Sequence, residues 1–338
     1  MTARIFLVAL LCAASCAAAP KPKAAPRRRA APAPAAPSAP VQTKYRRTPY
    51  VGAIAVDADS GRAIFSDSAD APAYPASVTK LMTLLLVIED VHGGKYAFDD
   101  KVTATPDVYR CEPSWVGIKA GEKMTVRDLC YALMVESAND AAIALGVHSA
   151  GSFDGFVARM NARAAELGMS GTKYYNPNGL PPNSTKRYPW KSFNVTTASD
   201  QARLACQMLK MPEVLEFTSV KTCDLVKTAD GFRVFVTRRV NSPEAKTELA
   251  AGEKLVTTMR NHNNVMVKDK LKVRNPDGSE AVDGLKTGYI DAGGSSVVLT
   301  GKRGGKRVVV VVLGSSSAAE RDAAAALRLE DALDALTL

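Results

Sequence analysis

The sequence predicts an α+β fold, an antiparallel β-sheet flanked by helices. Two observations carry this reading: hairpin signals sit at both ends of the folded part, and helical apolar spacing fills the middle. Near the start, residues 51–56 are an apolar run, residues 57–61 supply turn chemistry, and residues 62–65 lead back. Near the end, residues 295–300 and 308–313 flank Gly304-Gly305, and an Ala- and Leu-rich helix follows over 318–336. Hairpins at opposite ends of a domain can join into one sheet.

The helices are justified in order. Residues 76–91 read as a helix, and the unbroken apolar run 81–88 predicts nearly complete burial. Thr125, with Asp128 three residues on, is a candidate N-cap for a helix to 135. Residues 140–148 form another. Ser152 caps a further one, with Phe153, Phe156, Val157 and Met160 at helical spacing and Gly168 as its stop. Residues 224–272 are polar, with alternating Phe232, Val234 and Val236, and read as an extended hairpin or insertion beside the main sheet. Residues 282–289 read as a strand.

The first fifty of the 338 residues differ from the rest. Residues 1–19 read as a secretory signal: Arg4, a short apolar core and a run of small residues. Ala13-Ala14-Ser15-Cys16 loosely matches a lipoprotein cleavage box, so plain secretion to the periplasm or cell envelope and lipid anchoring at Cys16 both stand as expectations. Residues 20–49 are an Ala- and Pro-rich basic linker without apolar periodicity. The basic residues of positions 1–49 carry nine of the ten net positive charges, so residues 50–338 are nearly neutral. The basic pI therefore does not predict a nucleic-acid partner. The linker is either a solvated spacer or a point of contact with anionic membrane lipids or wall polymers.

Cysteine usage fits export. After the signal, Cys111, Cys130, Cys206 and Cys223 allow two disulfides in three connectivities, and Cys111–Cys130 with Cys206–Cys223 closes the shortest loops. A zinc site is not expected, because no C-x-x-C occurs and the histidines are only His92, His148 and His262.

Three strings carry chemistry: Ser77-Val78-Thr79-Lys80, Ser137-Ala138-Asn139 and Lys286-Thr287-Gly288. Ser77 and Lys80 share one helix face, with Pro75 placing the serine in the first turn, where the helix end stabilises an alkoxide. A buried lysine can lose its proton and act as a base. Alone, the string reads equally as a helix cap with a surface lysine. Ser137 can relay a proton and Asn139 can orient Lys80 and hold a substrate amide, or either can cap the following helix. Lys286 and Thr287 on an edge strand can bind a carboxylate, Gly288 permits close approach, and the Tyr289 amide can join that of Ser77 as an oxyanion hole. A strand-edge lysine is the plainer alternative. S-x-x-K, S-x-N and K-T-G in this order are far more specific than any one string.

With these strings in place, the chain resembles the serine D-alanyl-D-alanine carboxypeptidases, the low-molecular-mass penicillin-binding proteins of peptidase family S11. The likeness extends through residues 74–83, 134–142, 176–180 and 282–289 and covers roughly 50–338 as one catalytic domain. It implies a β-lactamase/transpeptidase-like (penicillin-binding) fold. It implies that Ser77 is acylated by a peptidoglycan stem peptide ending in D-Ala-D-Ala, with Lys80 as base, Ser137 and Asn139 completing the proton network, and Lys286 with Thr287 on the terminal carboxylate. β-Lactams would acylate the same serine and stay. No metal or organic cofactor is implied.

The chain departs from the family pattern in three respects. Fifty residues follow Gly288, enough to finish the catalytic domain, so any anchor is expected at the N-terminus. The stretch between Asn139 and Lys286 is longer than usual, mostly at 224–272. No arginine is assigned to the carboxylate pocket, Arg321 being a candidate. The alternatives are a D,D-endopeptidase acting on cross-links, a β-lactamase, and a non-catalytic penicillin- or wall-binding module. A lactamase needs a glutamate-activated water, yet Glu166 falls in a helical pattern followed by Leu167-Gly168. A module has no need of Ser77, Lys80 and Lys286 together.

Overall fold

The computed structural model describes residues 49–108, 111–182, 184, 192–237 and 249–337. The signal-like residues 1–19, Cys16 and nearly all of the linker lie outside the described residues.

The chain opens with the expected hairpin, β1 (Gly52–Asp57) and β2 (Ala63–Asp67). A 3₁₀ turn (Ala76–Thr79) leads into α1 (Lys80–His92). The short pair β3 (Lys101–Thr103) and β4 (Lys123–Thr125) precedes α2 (Val126–Tyr131). At α2 the Thr125 hydroxyl accepts from the Asp128 amide while Asp128 accepts from the Thr125 amide, so the expected cap is a reciprocal capping box. A π-helical turn (Ala132–Glu136) follows, then α3 (Asn139–Ala150), α4 (Phe153–Glu166), α5 (Ala198–Met208) and α6 (Glu213–Thr218). Strands β5 (Thr222–Lys227), β6 (Arg233–Thr237) and β7 (Lys254–Arg260) form a separate sheet in the order β6-β5-β7. This is the extended segment expected beside the main sheet, gaining a third strand because β5 pairs on both edges. The short α7 (Asn264–Val267) leads to β8 (Val282–Ile290), β9 (Gly294–Arg303), β10 (Lys306–Ser315) and α8 (Ala318–Thr337).

The main sheet runs β2-β1-β10-β9-β8, every pairing antiparallel, so the two terminal hairpins do join. Strand periodicity explains the valine run of β10. Val309 and Val311 enter the core shared with the helical region, while Val308, Val310 and Val312 pack toward α8. β1 divides the same way, with Ile54 and Val56 on one side and Ala53 and Ala55 on the other. Both faces are covered, which is why these strands read as continuous apolar runs. Residues 81–88 are all buried in the helical core, each large side chain contributing roughly 1.5–3 kcal/mol relative to exposure. This anchors the base of α1, and with it the first charged residue of the helix.

The two cysteine pairings are corrected. Cys111, Cys130, Cys206 and Cys223 are all thiols, none joined in a disulfide. They behave as small apolar core residues: Cys111, Cys130 and Cys223 are fully buried, and burial pushes the Cys111 thiol up to about 12. Closeness along the chain is no guide to pairing when the thiols serve as packing groups of one apolar core.

Candidate active site

Three segments distant in sequence meet at the N-terminal end of α1. The first difference from expectation is local: Ser77 lies on a 3₁₀ turn, and the α-helix begins only at Lys80. Three residues per turn bring positions 77 and 80 one above the other. Lys80 Nζ is 2.9 Å from Ser77 Oγ.

Lys80 is fully buried. Besides Ser77 it reaches Asn139 Oδ1 at 2.7 Å and the Asn178 carbonyl at 2.9 Å. The Asn139 amide orientation is fixed by its other end, since Nδ2 donates to the Cys111 carbonyl at 2.8 Å. Both Asn139 Oδ1 and the Asn178 oxygen can only accept. A neutral amine that gives its two N–H bonds to them has its lone pair left for the Ser77 hydroxyl. An ammonium donates to all three. The same geometry therefore serves Lys80 before and after it takes a proton. Burial, reinforced by the Lys286 charge, holds its pKa well below the ordinary lysine value.

Ser137 has a left-handed backbone (φ 62°, ψ 32°) between the π turn and α3. Its buried Oγ has no hydrogen-bond partner among the described residues. The N-cap of α3 is Ala138, with no side-chain cap, so the capping alternatives for Ser137 and Asn139 are not what the structure contains. The carboxylate of Asp140, fully buried, instead ties the preceding loop down, accepting from the amides of Val116, Ile118 and Ala141.

Lys286 and Thr287 lie on β8, at the free edge of the main sheet, and both are buried. Burial, with Arg321 adding to it, pushes the Lys286 pKa down to about 7, while Glu136 opposes the shift. Gly288 needs its missing side chain: a Cβ there would lie 2.5 Å from the Pro75 carbonyl oxygen and 3.0 Å from Ser77 N. β8 thus abuts the backbone of the serine turn, which brings the Tyr289 region to the Ser77 amide. The Tyr289 side chain points outward and is exposed. Arg321 is buried, and its guanidinium donates twice to Asp322 Oδ1, so it contributes field at Lys286 from within an ion pair. His262 shares this cationic field. Partial burial together with Lys286, Lys80 and Arg321 holds it down to about 4.

Of the sequence-predicted residues, Ser77 and Asn139 both contact Lys80 and Gly288 lies against the serine turn. The sequence reading marked 176–180 as part of the family likeness but gave the loop no role in the site. Asn178 serves Lys80 through its main chain, and a carbonyl leaves no residue signature. Gly179 (φ +86°) lies so close to Ala76 that a Cβ would be 1.8 Å from its carbonyl oxygen. Glu166 is on α4, paired with Arg163 at 2.8 Å. Among the described residues no cluster of His, Cys, Asp and Glu is arranged to hold a metal ion.

Known proteins resemble the chain in both sequence and fold. The chain is 31% identical over 166 residues to D-alanyl-D-alanine carboxypeptidase DacF of Bacillus subtilis, a match covering 49% of this chain and 40% of that one. The fold is similar to the crystal structure of the D-alanyl-D-alanine carboxypeptidase DacD from Francisella tularensis, with TM-score 0.69, 27% identity, and coverage of 84% of this chain and 70% of that one. It is also similar to Penicillin-Binding Protein D2 from Listeria monocytogenes in the ampicillin-bound form, with TM-score 0.62, 28% identity, and coverage of 84% and 98%. The family description D-alanyl-D-alanine carboxypeptidase matches residues 50–317. From the serine turn to the edge strand, the folded chain belongs to the D-alanyl-D-alanine carboxypeptidase family, peptidase S11.

Proposed function

We propose that the protein is a serine D-alanyl-D-alanine carboxypeptidase that removes the terminal D-alanine from peptidoglycan stem pentapeptides. The observation that carries this reading is the buried Lys80 amine, 2.9 Å from Ser77 Oγ, with its other partners restricted to acceptors. Ser77 Oγ attacks the carbonyl carbon of the penultimate D-alanine and gives its proton to Lys80. The N–H groups of Ser77 and Tyr289 receive the oxyanion. The unsatisfied hydroxyl of Ser137 is available to pass the proton to the departing amine, with Asn139 holding Lys80 and the substrate amide. Lys286 and Thr287 engage the terminal carboxylate. D-alanine leaves, water attacks the ester, and Ser77 recovers its proton as the shortened peptide departs. β-Lactams acylate Ser77 in the same way, in keeping with the ampicillin-bound relative. No step calls on a metal or cofactor.

The signal-like N-terminus supports delivery to the cell envelope, where the stem peptide is found. Lipid attachment at Cys16 or contact of the basic linker with the membrane would hold the enzyme near its substrate. The direct experiment is mass spectrometry of a synthetic pentapeptide incubated with wild type and Ser77→Ala. Loss of one alanine with wild type only is expected. No cleavage, or equal cleavage by the variant, would remove the assignment. Release of monomers from cross-linked muropeptide dimers, without pentapeptide trimming, would move it to the endopeptidase.

A further inference from the structure

Lys80 owes one of its three partners to the Asn178 main chain, and a loop carbonyl is only as well placed as its loop. Asn194, buried in the segment before α5, has both side-chain polar groups engaged there. Its Oδ1 accepts from the amides of Tyr175 (2.7 Å) and Asn176 (3.2 Å). Its Nδ2 donates to the Asn176 carbonyl (3.0 Å) and to Thr79 Oγ1 (3.0 Å). Thr79 stands between Ser77 and Lys80 in the chain. One side chain therefore clasps the loop at 175–176 and the catalytic turn at 79. Thr83 adds a second clasp, donating to the Pro177 carbonyl at 2.7 Å. Between these points the Asn178 carbonyl meets Lys80, and Gly179 lies against Ala76.

We propose that Asn194 is a positioning residue for the acyl-transfer site: it locks the 176–180 loop onto the Ser77–Lys80 turn, so that the Asn178 carbonyl directs the Lys80 amine at Ser77 and the loop seals that amine from water. This rests on the carboxypeptidase reading of the site. The clasp is a network of satisfied buried groups, so losing one partner loosens the others. A loosened loop has two consequences. The amine loses its aim, which slows attack by Ser77. Water also reaches Lys80, which relieves the burial that lowers its pKa.

The test measures the second-order rate of labelling of the full chain by a fluorescent penicillin between pH 6 and 10, for wild type, Asn194→Ala, Thr79→Val and the double variant. Each single variant is expected to slow labelling about tenfold or more and to move the rising limb of the pH profile upward. The double variant should be no slower than Asn194→Ala alone, because the Asn194–Thr79 bond that Thr79→Val removes is already among those lost in Asn194→Ala. A wild-type rate and limb in Asn194→Ala would overturn the proposal, and so would a slower rate with an unmoved limb, which marks mere destabilisation. If thermal melts show Asn194→Ala unfolded, Thr79→Val decides by the same criteria. An unlabelled wild type would sink the reading of the site and this proposal with it.

Discussion

Gly179 and Ala76 touch main chain to main chain, closely enough that a methyl group on Gly179 would sit 1.8 Å from the Ala76 carbonyl oxygen. Both the left-handed φ of +86° and the contact demand glycine. Gly179→Ala should therefore displace the loop that supplies the Asn178 carbonyl, lowering the melting temperature and slowing penicillin labelling more than tenfold. Gly168→Ala is the control. It shares a positive φ of +69° but has nothing within 4 Å of a new Cβ, so it should cost about 1 kcal/mol and leave labelling unchanged. Equal effects on labelling would show that the contact is unimportant.

Lys80→Met keeps the length of the side chain and removes the base. Acylation by a pentapeptide or penicillin should fall by about 10²- to 10⁴-fold. The change leaves Asn139 Oδ1 and the Asn178 carbonyl without their donor, at a cost of roughly 1–3 kcal/mol each, offset in part by no longer burying an amine. Stopped-flow labelling and chemical denaturation read the two effects separately. Rapid labelling of a folded Lys80→Met protein would show that another group takes the Ser77 proton.

Lys286 makes a pH-dependent contribution with a definite sign. Its pKa falls to about 7 in the folded protein against an ordinary value of 10.5. Between those values the unfolded chain holds a proton that the native state has released, so stability rises with pH there. Below 7 the buried charge weighs fully against folding. Lys286→Met should therefore stabilise the protein most at pH 7 and below. Its advantage should shrink by up to about 1.4 kcal/mol per pH unit on the way to pH 10. Urea denaturation of both proteins across that range checks it. A constant difference would mean that Lys286 stays charged in the native state.

The four cysteines of the folded part are predicted to remain thiols. Protein denatured without reductant and treated with an alkylating reagent should carry adducts on Cys111, Cys130, Cys206 and Cys223 by peptide mass mapping. The native protein should react far more slowly, since burial pushes the Cys111 thiol up to about 12 and the Cys206 thiol to about 11. Protection that survives denaturation would reveal a disulfide.

Much of the fold was legible because local patterns and tertiary roles agree. The valine run of β10 reads as a strand and is one, since both sheet faces are covered. The capping box at Thr125 and the helix start at Ser152 are set within four residues of sequence. The candidate site was legible where the proposed chemistry resides in a side chain, as with Ser77, Lys80, Asn139 and Lys286. It was illegible where function resides in the main chain or in a clasp between segments, as with the Asn178 carbonyl and Asn194. The cysteine pairing failed for a related reason: a thiol in a core and a half-cystine look alike in sequence.

By itself the sequence determined which groups carry chemistry and which residues enter helix or strand, because side-chain identity and apolar period are local properties. Tertiary structure alone decided that Lys80 is buried with Ser77, Asn139 and the Asn178 carbonyl as its partners, and that β8 closes against the serine turn at Gly288. Those outcomes depend on distances between residues separated by more than two hundred positions in the case of Gly288 and Ser77, and packing, not local preference, sets such distances.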